Sequence, residues 1–110
     1  MKKAVYALIK DNIPNGIAIN SAMHGIAAAY EEWYGDNEFD NWRHNSFSKR
    51  TCSVNDAEYN NAIKILDANN VKYKIITESS MDNAVILIIT YPIDSRNDKF
   101  KAFRFFRLWK

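Results

Sequence analysis

The chain has 110 residues, 47% of them hydrophobic and 25% charged, with a formal net charge of +2. Those values describe one ordinary globular domain over residues 1–110 and exclude a chain that is mostly disordered or strongly basic throughout. The lone Cys52 excludes an internal disulfide and a thiolate metal site, and its alternating surroundings point to packing rather than nucleophilic chemistry.

The first strand is expected at residues 4–9, where Ala4-Val5-Tyr6-Ala7-Leu8-Ile9 is continuously apolar. Lys10-Asp11 follows directly, so this run is too short for a membrane span or a signal peptide. The expectation is therefore a cytoplasmic protein with no membrane partner. Asn12–Asn15 is turn material around Pro14, and a first helix runs from about Gly16 to Tyr34. Its Ala18, Ala22, Gly25, Ala28 and Ala29 suit close approach to a sheet.

Gly35–Asn45 reads as a polar surface loop anchored by Phe39 and Trp42, and a second strand covers residues 46–53. Asn55 with Glu58 three residues on makes a capping box for a second helix over 56–68, ended by Asn69-Asn70. Val71–Glu78, the turn Ser79–Asn83 and Ala84–Ile89 form an antiparallel hairpin, and Pro92 stops its second strand. In the tail, Phe100, Phe103 and Phe106 have helical spacing, whereas Phe103, Phe105 and Arg107 alternate as in a strand. The reading adopted is a helix over 96–106 and an extended end that packs Leu108 and Trp109. The order β-α-β-α-β-β-α implies a three-layer α/β/α fold with a mixed four-stranded sheet and a parallel first pair.

Charge is unevenly spread. Five acids and no base lie between Glu31 and Asp40, and five bases and no acid between Lys99 and Lys110. Such runs form solvated faces, or a polarised surface that attracts a phosphate-bearing partner. The candidate site is the junction between first strand and first helix, where free N–H groups favour an anion or a polarised carbonyl. Lys10, Asp11, Asn12, Asn15 and Gly16 from that junction are expected to converge with Glu78 and Ser79, and Asn20 and His24 follow on the helix. Asp11 is the candidate acid/base group and His24 a second catalytic candidate. The plain alternative is that Asp11, Asn12 and Asn15 only form the turn and cap the helix. No metal or cofactor is expected.

The junction resembles the type II peptidyl-tRNA hydrolase superfamily. Gly16 and His24 fall at the spacing of that family's Gly-Lys-Ile-Ala-Ala-Gln-x-x-His helix opening, and Pro92…Asp98-Lys99…Phe103…Phe106-Arg107-Leu108 is similar to its closing helix and tail. The family's lysine is Ile17 here, its glutamine is Ser21, and its Asp-Ala-Gly-x-Thr loop is reduced to Glu78-Ser79-Ser80-Met81-Asp82. Ile13-Pro14-x-Gly16-x-Ala18-x-Asn20-x-Ala22 looks closer to a sister group of small bacterial proteins that share the fold. The resemblance implies hydrolysis of an ester or amide of an RNA-linked or small substrate, with tRNA as a partner. The alternative is a non-catalytic module that binds a ligand or a protein. Trp33, Tyr34, Phe39 and Trp42 would then offer a surface for homo-oligomer formation.

Overall fold

The computed structural model describes residues 3–109. Strand β1 (Ala4–Lys10) leads into helix α1 (Asn15–Trp33), a short helix α2 (Asn37–His44) and strand β2 (Ser48–Val54). Helix α3 (Asp56–Ala68), the hairpin strands β3 (Tyr73–Glu78) and β4 (Ala84–Thr90), a 3-10 segment (Asp98–Phe105) and strand β5 (Arg107–Leu108) follow. The sheet order is β3-β4-β1-β2-β5. β1 and β2 pair in parallel and the other pairs are antiparallel. The α/β class, the parallel first pair and the hairpin thus agree with the sequence, while the sheet has five strands instead of four.

β1 is buried on both faces, as its unbroken apolar run requires. Val5, Ala7 and Ile9 face one core beneath α1 and α2, and Tyr6 and Leu8 face a second beneath α3 and the 3-10 segment. The stripe Ala18, Ser21, Gly25, Ala29 and Trp33 lays α1 on the sheet. A Cβ built on Gly25 would stand 3.4 Å from Leu87 Cδ1, which measures how close helix and strand lie. At the start of α3 both halves of the expected capping box form, with Asn55 Oδ1 accepting from Glu58 N and Glu58 Oε1 from Asn55 N, each at 2.8 Å.

Several expectations are corrected. Residues 35–45 are not simply a loop, because Asn37–His44 is helical. Acids in its first turn and Arg43 and His44 in its last complement the helix dipole, and Phe39 and Trp42 are buried on one side. Trp33, Phe39 and Trp42 are at most 4% exposed, so they are core, and only Tyr34 of the supposed oligomer surface is exposed. The tail forms a 3-10 segment instead of an α-helix over 96–106. Side chains three apart eclipse in that geometry, so Phe100, Phe103 and Phe106 line up against the α3-side core. Phe105 and Leu108 are left outside, whereas Trp109 packs against the α1-side core. No helix of the described residues is long and apolar enough to cross a membrane.

Candidate functional site

The residues expected to meet in one site are divided between two clefts. Asp11 and Asn15 line a cleft of about 650 Å³ with Ile13, Arg107, Leu108 and Trp109. Glu78 and Ser79 line another of about 320 Å³, with Asn20, Ser21 and His24 from α1 and Asn83 from the hairpin turn. The sheet order explains the division. β4 lies between β1 and β3, so the ends of those two strands are two spacings apart, about 10 Å.

In the first cleft the fold uses the Asp11 backbone N–H and the Asn15 side chain. Asp11 N donates to Val54 O at 2.9 Å, and Trp109 Nε1 donates to Asn15 Oδ1 at 3.0 Å. Asn15 is therefore the anchor for the C-terminal tryptophan. No side chain caps α1, whose N-cap residue is Pro14, so the capping alternative for Asp11, Asn12 and Asn15 is also corrected. Asn12 and Gly16 are exposed and line neither cleft. Lys10 belongs to the other side of the sheet, where its Nζ lies 3.5 Å from Asp56 Oδ1 and 4.8 Å from the centre of the Tyr59 ring.

The second cleft differs. Ser21 occupies a sheet-facing position of α1 and is 3% exposed. Its Oγ is the one buried side-chain polar atom among the described residues without a hydrogen-bond partner. A helical serine can satisfy its hydroxyl on the carbonyl four residues back, but here it does not. Opposite it, Ser80 Oγ and Ser80 N donate to Glu78 Oε2 at 2.8 and 3.2 Å. Those bonds hold the Glu78 carboxyl below the ordinary glutamate range, with smaller contributions from the nearby His24 and Ser21. Ser21 Oγ is thus close to the carboxylate but outside hydrogen-bond geometry with it.

The hairpin holds Glu78 in place. Asp82 and Asn83 both take left-handed backbone angles, which Asp and Asn tolerate, and Asn83 N donates to Glu78 O at 2.9 Å. Asn20 is exposed and lines the cleft. His24 shares that cleft one turn further on. In the sequence alone Ser21 stands out only as a departure from the family motif. Its position in the stripe of small sheet-facing residues was the available signal, since a hydroxyl there is buried and needs a partner.

The charge runs resolve unequally. Lys74 pairs with Glu32 at 3.0 Å, Lys72 with Asp36 at 2.9 Å, Arg43 with Asp40 at 3.1 Å, and Lys3 with Glu38. In the basic run Arg107 pairs with Glu58, whereas Lys99, Lys101 and Arg104 are exposed and enter no ion pair among the described residues. Lys110 lies outside the described residues. Cys52 is buried and its thiol is pushed up to about 11, as expected for a packing residue. Among the described residues no three His, Cys, Asp or Glu side chains are grouped to hold a metal ion. No protein-family model matches the chain, and no curated protein matches it.

Proposed function

We propose that the protein is a binding module that holds a small polar ligand between α1 and the β3–β4 hairpin. The observation that carries this reading is the unpaired Ser21 hydroxyl, buried in the wall of a polar cleft. Leaving such a group unpaired costs about 1–3 kcal/mol. A ligand atom that bonds to it recovers part of that cost, so the defect favours occupancy.

Hydrolysis is the second reading, because a hydroxyl, an imidazole and a carboxylate share the cleft. Three features weigh against it. Ser21 Oγ makes no hydrogen bond to His24, so it is not activated as a nucleophile. No Lys or Arg lines the cleft among the described residues, and Ile17, at the position of the lysine in the resembling family, packs half-buried against the core. A developing oxyanion would lack a cation there. Asp11, the acid/base candidate, lines the other cleft.

The deciding experiment is incubation with an N-blocked aminoacyl-tRNA beside an active type II peptidyl-tRNA hydrolase. The binding reading expects no release of the blocked amino acid while the control turns over. Release that disappears in Ser21→Ala or Asp11→Ala would overturn it.

A further inference from the structure

We infer that the cleft between α1 and the β3–β4 hairpin selects a small ligand bearing a primary ammonium group, which Glu78 and the Ser21 hydroxyl receive together. This rests on the binding reading above and names the ligand class. Glu78 is the one acid lining the cleft, and no Lys or Arg lines it among the described residues, so the fixed charge there is negative. Both Ser80 bonds fall on Glu78 Oε2, and Oε1 takes none from the described residues. An ammonium group has three donors on one compact centre. One donor suits Glu78 Oε1, a second suits Ser21 Oγ as acceptor, and a third suits the Asn20 or Asn83 side-chain oxygen.

The chemistry separates this class from its competitors. A carboxylate or phosphate would meet Glu78 as a like charge, and desolvating two like charges together is unfavourable. A neutral amide or alcohol can bond to Ser21 but lacks the charge-assisted bond to Glu78, which is about twice as strong as a neutral one. The volume of about 320 Å³ limits the ligand to a small molecule or a single side chain. His24, on the rim of α1, is the other titratable group lining the cleft, and its imidazole can lie beside the ligand's carbon chain.

The test is an NMR titration of the ¹⁵N-labelled protein at fixed ionic strength and pH with butylammonium, butyramide and butyrate in turn. Butylammonium is expected to shift the amides of Ser21, His24 and Glu78 saturably, at least tenfold more tightly than butyramide, with no effect of butyrate there. Glu78→Gln should weaken butylammonium at least tenfold, while Asp11→Ala, in the other cleft, should leave it unchanged. If butyramide or butyrate binds these amides as well as butylammonium, or Glu78→Gln binds it undiminished, the ammonium assignment falls and the binding module stands. If none of the three moves these amides, both fall. A Glu78→Gln spectrum that is no longer folded is replaced by Glu78→Asp, which keeps the charge but shortens its reach and must also weaken binding.

Discussion

The two ends of α1's first three turns, similar in composition, are in opposite conditions. At the first, the Asp11 backbone N–H and the Asn15 side chain are met by Val54 and Trp109, and an indole and a leucine line the cleft. At the second, around Ser21 and His24, a buried hydroxyl is left unpaired across from a carboxylate that accepts two hydrogen bonds from its own hairpin. Among the described residues, the first end has no buried polar side chain without a partner, and the second has one. The lesson is that the junction of strand and helix, which attracts attention in any α/β chain, is here a structural joint, while the unmet polar group lies nearly two turns into the helix.

Trp109→Ala tests this division most severely. Removing a half-buried indole that packs on the core and anchors to Asn15 should cost about 2–3 kcal/mol in urea unfolding. The butylammonium titration of the folded variant should nevertheless match the wild type. Loss of that binding would mean the clefts are one system.

Gly25 probes the helix–sheet spacing beside the second cleft. Its added Cβ would make only ordinary contact with Leu87, so Gly25→Ala should be neutral or gain up to about 1 kcal/mol from helix propensity. Gly25→Leu should lose about 2 kcal/mol by overpacking. Equal stability of the two variants would show that α1 is not held at this distance.

The smallest effect is in the pH dependence of Glu78. Its folded carboxyl titrates below its ordinary value of 4.5, so its contribution is full above that pH and is lost as pH falls through the lower folded value. Wild type should therefore be more stable than Glu78→Gln at pH 7, with the gap closing as the pH falls below 4.5. A gap that widens on acidification would contradict the assignment of Ser80 as its stabilising partner.

Much of this was legible in the residues. The unbroken run Ala4–Ile9 announces a doubly buried strand, Asn55 with Glu58 announces a helix start, and the hairpin follows from two strands separated by five residues. The site was legible only in its parts. Loop ends adjacent in order need not be adjacent in space, and the insertion of β4 between β1 and β3 separated Asp11 from Glu78. Asn37–His44 was obscured because six of its eight residues are polar, although Phe39 and Trp42 stand three apart as a short helix requires. The 3-10 tail escaped because a phenylalanine every third residue fits an α-helix loosely and a 3-10 helix closely.

The central claim is that Ser21 keeps a buried hydroxyl for a partner outside the chain, and thermal unfolding of Ser21→Ala without ligand tests it most directly. Alanine removes the unpaired group without leaving a sizeable hole, and its better helix propensity alone contributes no more than about 0.5 kcal/mol. The account predicts a larger gain, about 1–2 kcal/mol, seen as a higher melting temperature, together with weaker butylammonium binding. A variant less stable than the wild type would mean the hydroxyl is already satisfied within the fold, and the cleft would lose its claim to be the site.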